Sequence, residues 1–501
     1  MSVVDIHNCR QIIKRRVVEA NLVFETPVAF ASGDTDEMSD MPLLVDALEG
    51  KPLLTGTTLA GALRSYLRSI EKGTRSATAG ALENKLFGRE KKDDQGSQSD
   101  EGIELLCQNR QEKEDDQGSQ SLIIVEDAIG EQGEISYRDG VRINRKSKTA
   151  DDQGLYNREV WEMGTTFPIR LELLIPQDEQ EDALKNALET IVYGLQSGEI
   201  ALGARKTRGY GQIQLKDLRQ KEWDLTQKTE LLEWIKTGSK PLTIENSTPW
   251  KATLPLSDNR QILKLEATFD IEGSLLIRSA GKRVDDPDFV SLQRKDGVPV
   301  IPGTSLMGVM RHRADKIMHI LGKNLPNPDA ESLLILKLFG YSLEKHELKK
   351  YNKLQDRSAQ ASRLMVNEAI IEDVHYKDMV QARVSIDRFT GGSLDTALFN
   401  EQPVWGGRVT FYFQLQKPEN AEVGLLLLLL KDLWTGDLPV GGENSIGRGR
   451  LKGKQAILSH KKRSWTLQQD QPNMGLNPEA QEELQEFVKA LIHQEDQCNA
   501  N

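Results

Sequence analysis

The stretch Val300-Ile301-Pro302-Gly303-Thr304-Ser305-Leu306-Met307-Gly308-Val309-Met310-Arg311 predicts a tight turn that leads directly into a helix. Proline and glycine favour the turn, and the hydroxyls of Thr304 and Ser305 are suited to cap free N–H groups at a helix start. The positive end of such a helix attracts anions, most often phosphate, and Arg311 follows two turns later. An ordinary capped helix without a ligand has the same pattern, so a single copy of the stretch does not predict a binding site.

The stretch has a second copy, Leu54-Thr55-Gly56-Thr57-Thr58-Leu59-Ala60-Gly61-Ala62-Leu63-Arg64. Other landmarks recur in the same order and at a nearly constant offset, which chance does not explain. The chain is therefore predicted to be a tandem duplication of one α+β domain with the order β-α-β-β-α-β, a ferredoxin-like pattern. The paired landmarks are the turns at Gly56 and Gly303, Leu86–Gly88 and Leu338–Gly340, the strands at 122–129 and 364–370, the basic segments at 141–148 and 384–392, the helices at 183–194 and 425–430, and the glycine loops at 203–211 and 441–449.

Composition is that of an ordinary globular protein. The chain has 501 residues, of which 38% are hydrophobic and 28% charged, enough for two or three domains with their own cores. The longest apolar run, 425–430, is far too short to span a bilayer, and the N-terminus lacks a signal-peptide pattern. The 3 cysteines lie far apart and make no disulfide framework. We therefore expect a cytoplasmic protein with no membrane partner.

The net charge of −11 comes from two acidic segments, 88–121 and 464–501. The rest of the chain is balanced and can present a basic groove, so the negative total does not exclude nucleic acid. Residues 93–99 recur as 115–121, both reading Asp-Asp-Gln-Gly-Ser-Gln-Ser. Such tracts cannot bury a core, which predicts a disordered low-complexity insertion at about 89–121.

The duplication also predicts how the chain divides. The acidic tail has helical spacing of apolar residues over 478–494, and packing on its own domain is favoured over docking to a neighbouring subunit. The predicted parts are a first domain at 1–220 that contains the insertion, a connector at 221–258, a second domain at 259–460, and the acidic tail at 461–501.

Each half resembles a domain of the RAMP superfamily, the ferredoxin-like (RRM-like) RNA-binding family of CRISPR effector complexes. A fused pair resembles the double Cas-seven-type backbone subunit of type III complexes, specifically type III-D. The resemblance rests on the Pro302–Arg311 helix start, the Asp-x-Pro loop before it, Ile386-Asp387-Arg388 with Gly391-Gly392, and the closing glycine loops.

The resemblance implies a curved palm that holds guide (CRISPR) RNA and inserted thumb hairpins beside which target RNA is cut. It also implies the partners, namely guide RNA, single-stranded target RNA and other type III effector subunits, including the large polymerase/cyclase-like subunit. The sequence departs from the family in one respect. The family helix usually carries a lysine before its second glycine, but Ala60 and Met307 stand there. The turns are therefore expected to hold RNA mainly through backbone N–H groups.

The predicted RNA-binding residues lie at the helix starts, the basic segments and the glycine loops. Backbone N–H groups and basic side chains contact phosphates whatever the base sequence. Each has a plain alternative, because arginines such as Arg64 and Arg311 also pair with local carboxylates and glycine loops also form simple turns. The set is Gly56, Thr57, Arg64, Arg142, Arg145, Lys206, Arg208, Gly209, Gly303, Thr304, Ser305, Arg311, Arg388, Arg448 and Arg450.

The resemblance places the catalytic aspartate two residues before a proline, in the acidic loop ahead of each glycine turn. A carboxylate there can accept the proton of a ribose 2′-hydroxyl or bind a cation, so Mg²⁺ or another divalent cation is expected, with ligands unassigned. Solvated loop acids are the plain alternative. The candidates are Asp40 in the first half, Asp285 in the second, its neighbours Asp286 and Asp288, and, more weakly, Asp36 and Asp34.

The sequence thus predicts an endoribonuclease subunit that binds guide RNA and cuts guide-paired target RNA at two sites, one per domain. A non-catalytic RNA scaffold is the first alternative. A guide-RNA-processing endoribonuclease is the second, and it is disfavoured because no histidine lies near the glycine loops to act as acid or base. The 7 histidines form no zinc-binding pattern, and no phosphate-binding P-loop is present.

Overall fold

The computed structural model describes residues 11–31, 42–76, 78–89, 119–131, 133–143, 149–177, 179–281, 286–322, 332–342 and 359–493. Within these ranges the chain is a mixed α/β protein with mainly antiparallel sheets, in two halves of similar element order. Most of the insertion predicted at about 89–121 lies outside the described residues. None of the described helices is both long enough and apolar enough to cross a membrane.

The first half is organised around one long strand that is paired on both sides. Its elements are β1 (Ile12–Phe24), β2 (Leu53–Leu54), α1 (Gly56–Lys72), α2 (Ala81–Phe87), β3 (Ile123–Val125), β4 (Ala128–Ile129), β5 (Ile135–Tyr137), β6 (Gly140–Ile143), β7 (Ala150–Tyr156), β8 (Glu159–Trp161), β9 (Thr166–Pro176), α3 (Glu181–Gln196), β10 (Ile213–Asp224), α4 (Lys228–Thr237) and β11 (Thr248–Pro249).

The five-stranded sheet of this half has the order β11-β10-β1-β9-β3. Side chains of β1 alternate, so that Val18, Leu22 and Phe24 are buried on one face. The buried residues of α1 and α3, including Leu63 and Leu188, belong to the same hydrophobic core. One face of the sheet is therefore covered by helices.

The second half repeats this arrangement. Its elements are β12 (Ile262–Glu272), β13 (Ser274–Leu275), β14 (Arg278–Ala280), β15 (Phe289–Ser291), β16 (Val300–Ile301), α5 (Gly303–Ile320), α6 (Leu333–Phe339), β17 (Tyr341–Ser342), β18 (Ala359–Gln360), β19 (Leu364–Val366), β20 (Ala369–Glu372), β21 (Gln381–Ile386), β22 (Ser393–Gln402), β23 (Val404–Trp405), β24 (Arg408–Gln416), α7 (Asn420–Trp434), β25 (Arg450–His460), β26 (Arg463–Gln468) and α8 (Pro478–His493).

The main sheet of this half has the order β16-β20-β24-β12-β25-β26, and β19 also pairs with β24. Strand β12 buries every second residue, including Leu265 and Phe269, and α7 buries the apolar run centred on Leu429. Each half also carries an antiparallel hairpin outside its main sheet, β6–β7 in the first and β21–β22 in the second.

The duplication extends to single hydrogen bonds. Ser121 donates from Oγ to the carbonyl of Leu86 at 3.1 Å, and Ser362 donates to the carbonyl of Leu338 at 3.0 Å. The closing loops match as well. Arg205 and Glu443 have left-handed φ angles of 55° and 58°, and the following glycines repeat each other's positive φ. Because non-glycine residues rarely adopt this conformation, its recurrence at matched positions supports one ancestral loop.

Two predicted domain ends differ from the structure. Strand β10 continues to Asp224, and β11 pairs with it, so the start and end of the connector belong to the first sheet. Strand β26 extends the second sheet beyond residue 460. Helix α8 packs on α7 at Gly424, where a Cβ atom would lie 2.2 Å from the carbonyl oxygen of Phe487. The tail helix therefore packs on its own domain.

The prediction that Thr304 and Ser305 cap their helix is wrong. Helix α5 begins at Gly303, and the extended Pro302 occupies the cap position, so both hydroxyl residues lie in the first helical turn. In the first half Thr55 takes the cap position, and its side chain accepts a hydrogen bond from the N–H of Thr58 at 3.3 Å. The proline explains the difference, because it has no side-chain hydroxyl with which to cap.

Candidate nucleic-acid interface

The two halves meet where the closing loop of the first, residues 203–211, packs on the start of α5. A Cβ atom on Gly303 would lie 2.5 Å from the carbonyl oxygens of both Arg208 and Val366. One on Gly209 would lie 2.2 Å from the backbone nitrogen of Glu368. Only glycine allows backbones to come so close. The structure thus brings predicted RNA-binding residues from both halves to one place, which we call the junction.

Aromatic stacking holds two arginines at the junction. The guanidinium groups of Arg158 and Arg205 lie 5.5 Å and 5.2 Å from the ring centroid of Tyr156. Arg205 also donates from Nη1 to the Tyr156 hydroxyl at 3.1 Å. Burial, followed by the charge of Arg205, lowers the pKa of Arg158. Two like charges are therefore kept close together by a shared ring.

Arg208 is the arginine at the junction whose positive charge is least favoured by its surroundings. Burial lowers its pKa to about 10, helped by the charges of Arg311 and Arg205. Its Nη1 atom is buried and has no hydrogen-bond partner among the described residues. Lys206 reaches the surface, although burial of part of its side chain lowers its pKa as well. A bound anion would remove this repulsion and satisfy the buried donor.

We call these five cations the junction cluster: Arg158, Arg205, Lys206, Arg208 and Arg311. They come from three distant parts of the sequence, and the loop that carries Arg205, Lys206 and Arg208 packs on the start of α5. Lys206 is exposed and Arg205, Arg208 and Arg311 are partly exposed, so the cluster presents positive charge that is suited to an RNA phosphate.

The start of α1 differs from that of α5. The Gly56 N–H donates to Oδ1 of Asp127 at 2.6 Å, so a carboxylate of the protein already occupies the place of an anion. The matching residue in the second half is Glu368, which instead accepts a hydrogen bond from Nε of Arg294 at 3.2 Å. Of the two predicted glycine turns, the one at Gly303 adjoins the junction cluster, and the one at Gly56 is capped internally.

Two predicted phosphate contacts are engaged inside the protein. Arg64 donates from Nε to the fully buried carboxylate of Glu83 at 2.8 Å. Arg448 is 3% exposed, and its Nη1 lies 3.0 Å and 2.8 Å from carboxylate oxygens of Glu401 and Glu443. For Arg64, the alternative of a local carboxylate partner is therefore the one observed. Arg448 is likewise a buried ion-pair residue rather than a surface cation.

The remaining predicted residues are dispersed. Thr57 and Arg450 are exposed, and Arg388 is exposed at the tip of the β21–β22 hairpin. Arg142 lies in β6, but its side chain is not described, and Arg145 lies outside the described residues.

Four of the six candidate catalytic residues, Asp34, Asp36, Asp40 and Asp285, also lie outside the described residues. The other two belong to the loop between β14 and β15. Asp288 accepts the backbone N–H of Asn400 on Oδ2 at 2.8 Å, which ties this loop to β22. Gly281 lies against Asp286, since a Cβ atom there would be 2.6 Å from Asp286 Cβ. Asp288 thus lies at the base of the β21–β22 hairpin.

Carboxylates on one loop are the oxygen ligands that Mg²⁺ accepts. In the part of the chain that the structure describes, however, no group of three or more His, Cys, Asp or Glu side chains is arranged to hold a metal ion. Asp286 and Asp288 alone do not complete a metal site, so we assign no catalytic step to a metal.

Sequence reasoning missed Tyr156, Arg158 and Arg205. Arg205 adjoins the predicted Lys206 and was detectable as part of the basic run Arg205-Lys206-Thr207-Arg208. Nothing in the sequence places residues 156 and 158 beside that run, because only the folded backbone brings them together.

The close packing at the junction leads to a testable prediction for two glycines at equivalent positions of the two closing loops. Gly209 and Gly447 have φ angles of 85° and 90°, so alanine costs both a similar backbone strain, about 1 kcal/mol. Among the described residues, the new Cβ meets neighbouring backbone at Gly209 but has nothing within 4 Å at Gly447. We expect Gly209→Ala to lower the free energy of unfolding by about 1–3 kcal/mol more than Gly447→Ala, measured by urea denaturation. Equal losses would mean that the junction is not tightly packed.

The structure defines a duplicated α/β protein whose two halves meet beside a cluster of basic side chains. The family model described as RAMP superfamily matches residues 21–214 and 268–452, most of both halves. The chain therefore belongs to the RAMP superfamily, as a tandem pair. This family suggests a CRISPR-associated, RNA-binding subunit, since its members generally work in CRISPR RNA–protein complexes. A search of curated proteins found no match to the chain.

Proposed function

We propose that this chain is the double Cas-seven-type backbone subunit of a type III CRISPR effector complex, of the III-D kind. In this role it binds guide RNA and cuts guide-paired target RNA once per domain. The observation that carries the proposal is the junction cluster, in which basic residues of both halves lie close to the start of α5 and the buried Nη1 atom of Arg208 has no hydrogen-bond partner among the described residues. A phosphate bound there would satisfy the buried donor of Arg208 and offset the positive charge around it.

A ferredoxin-like fold for each half is part of the proposal. The principal strands lie in the sheet order β3-β9-β1-β10 in the first half and β20-β24-β12-β25 in the second. In both halves this is second, third, first and fourth in chain order, with helices after the first and third strands. This antiparallel order supports the assignment.

The open end of the second half supports a role as a backbone subunit. Gly209 packs on the second half, but at the matching Gly447 a Cβ atom would meet nothing within 4 Å in the described part of the chain. Ile446 beside it is 54% exposed. A loop that docks on the next domain in one copy and is uncovered in the other favours head-to-tail contact with a further domain of the same type.

The β21–β22 hairpin is the proposed thumb of the second domain. Its tip carries Phe389, which is 100% exposed, beside the exposed Arg388. An apolar ring and a cation at the end of a hairpin are suited to contact with bases and phosphates, respectively. Asp288 accepts a hydrogen bond from the backbone of Asn400 in β22, and this proximity of a candidate acid to the hairpin supports target cleavage beside the proposed thumb.

The cleavage test uses the assembled complex with guide and target RNA. Asp40→Ala and Asp285→Ala are each expected to remove one cut and to leave the other, with Asp288→Ala as a second variant for the second domain. Addition of EDTA tests whether Mg²⁺ or another divalent cation is needed. If both single variants cut at both positions, the aspartate assignment is wrong. If wild-type complex binds guide RNA but cuts nothing, the chain is a scaffold.

A further inference from the structure

A network of five charged side chains lies at the base of the β21–β22 hairpin. Glu401 and Glu443 each form ion pairs with Arg278, Arg383 and Arg448, at 2.8 to 3.5 Å. The arginines come from β14, from β21 and from the closing loop of the second half. The network therefore connects the hairpin to the strand that leads into the acidic loop.

The network holds three positive and two negative charges, and its members differ in exposure. Glu401 is fully buried and Arg448 is 3% exposed, whereas Arg278 is 47% exposed. Arg448 Nη1 lies within ion-pair distance of both carboxylates but at angles that make no hydrogen bond. The excess positive charge is thus available to solvent mainly at Arg278.

Arg278 lies next to the loop that carries the candidate acids. Its guanidinium stacks over Phe289 at 4.8 Å from the ring centroid. Phe289 follows Asp288 in the chain and pairs with Glu401 across the parallel strands β15 and β22. Arg278 therefore approaches the acidic loop from the strand before it, and the network fixes this position.

The first half lacks this arginine. Gly203 packs on the carbonyl of Ala29, and Gly441 packs on that of Leu276. A Cβ atom added to either glycine would lie 2.7 Å from that carbonyl oxygen. Ala29 and Leu276 therefore occupy matching positions in the two halves. Two residues further along, the first half has Ala31 in place of the arginine. Arg205 likewise stands where the second half has Glu443. The two hairpin bases are therefore built differently.

We propose that Arg278 contacts the scissile phosphate of target RNA at the second cleavage site, and that Glu401 and Glu443 are its positioning residues. This inference rests on the proposed nuclease function. Both ion pairs of Arg278 use Nη2, so Nε and Nη1 are the donors that reach the phosphate.

The reaction that Arg278 assists is attack by the ribose 2′-oxygen. The 2′-oxygen bonds to phosphorus, the bond from phosphorus to the 5′-oxygen breaks, the 2′-proton passes to a carboxylate of the acidic loop, and the 5′-oxygen takes a proton from water. Negative charge builds on the non-bridging phosphate oxygens in the transition state. A guanidinium held in place beforehand stabilises that charge without having to reorganise.

The test measures single-turnover rates of both cuts in the assembled complex. Arg278→Ala is expected to slow the second cut roughly 10²-fold and to leave the first cut unchanged, since a single stabilising donor has an effect of about this size. The first cut, made in the same complex, is the internal control. Arg278→Lys should recover part of the lost rate, because it restores the charge but not the paired donors.

A phosphorothioate at the second scissile position separates contact from folding. Sulfur should slow the wild-type cut but add little to the defect of Arg278→Ala, because the contact that sulfur disturbs is already lost. Glu401→Gln should also lose this sensitivity to sulfur, and Glu401→Asp should retain part of it. A variant that was merely misfolded would slow cleavage and remain sensitive to sulfur.

The two proposals fail in different ways. If wild type makes both cuts and Arg278→Ala makes them at wild-type rates, Arg278 has no role and the nuclease function stands. If Arg278→Ala slows both cuts equally, the residue supports the fold or assembly and the inference is overturned. If wild type cuts at neither position, the nuclease proposal fails, and the inference fails with it.

Discussion

Replacing Arg208 by methionine is expected to have opposite effects on stability and on RNA binding. Burial, Arg311 and Arg205 hold the pKa of Arg208 at about 10, which means that the folded protein disfavours its charge. Removing the charge and keeping the volume should raise the free energy of unfolding of the RNA-free protein by about 1–3 kcal/mol. The same change removes a phosphate contact, so guide-RNA affinity should fall roughly tenfold or more.

Urea denaturation of the RNA-free chain and a salt series of guide-RNA binding measure these two effects. Loss of one phosphate contact should reduce the slope of log affinity against log salt by about 0.7. Arg408→Met is the matched control, because Arg408 is half-exposed and lies 3.6 Å and 3.3 Å from Asp270 and Asp373. It should change neither quantity appreciably, as exposed ion pairs contribute little. Lower stability with unchanged binding would show that Arg208 has a structural role instead.

The duplicated order of helices and strands was predictable because local sequence patterns indicate it. Glycines at positive φ, a glycine turn that leads into a helix and alternating strands depend on neighbouring residues, so they appear in the sequence twice. The contact of the loop 203–211 with Gly303 was not predictable. It joins residues far apart in the chain, and in the first half's copy of the turn the described atoms nearest to a Cβ on Gly56 belong to Val125 and Glu126 instead.

The structural roles of individual arginines could not be predicted from the sequence either. Arg64, Arg208 and Arg448 all lie beside glycines or helix starts and look alike as phosphate ligands. Their roles differ because a buried carboxylate faces Arg64 and Arg448, whereas Arg208 faces other cations. Glu83 lies 19 residues from Arg64, and Glu401 lies on a different strand from the loop of Arg448, so neither carboxylate leaves a local signal beside its arginine. Sequence therefore located the basic regions, and only the fold separated the arginines in internal ion pairs from those of the proposed RNA-binding surface.

Replacing Glu83 is expected to cause the largest loss in the free energy of unfolding. Its buried carboxylate accepts hydrogen bonds from Nε of Arg64 at 2.8 Å, from Nε of Arg68 at 2.7 Å, and from the N–H of Gly80 at 3.0 Å. Glu83→Ala leaves two arginines without their shared partner at the contact of α1 with α2. Removing one member of a buried ion pair typically costs 3–5 kcal/mol, so we expect a loss of about 3–5 kcal/mol in the free energy of unfolding.

The control is Glu179→Ala, because Glu179 pairs with the more exposed Lys85 at 3.0 Å. That change should cost less than about 1 kcal/mol. Urea denaturation measures the free energies of unfolding of both variants and of wild type for this comparison. Similar small losses for the two would show that the arginines find other partners or water.

The pH dependence gives an independent check on the same carboxylate. Burial alone would raise the pKa of Glu83, but hydrogen bonds from Arg68, Arg64 and Gly80 outweigh burial and lower it to about 2. An unfolded glutamate titrates near 4.3, so its contribution is complete above about pH 4.3 and is lost as the pH falls through about 2. The free energy of unfolding of wild type should therefore fall by about 3 kcal/mol on acidification because Glu83 becomes protonated. Glu83→Ala should lack this part of the decrease. Parallel stability curves for the two proteins between pH 5 and pH 2 would show that the carboxylate is not held in its charged form.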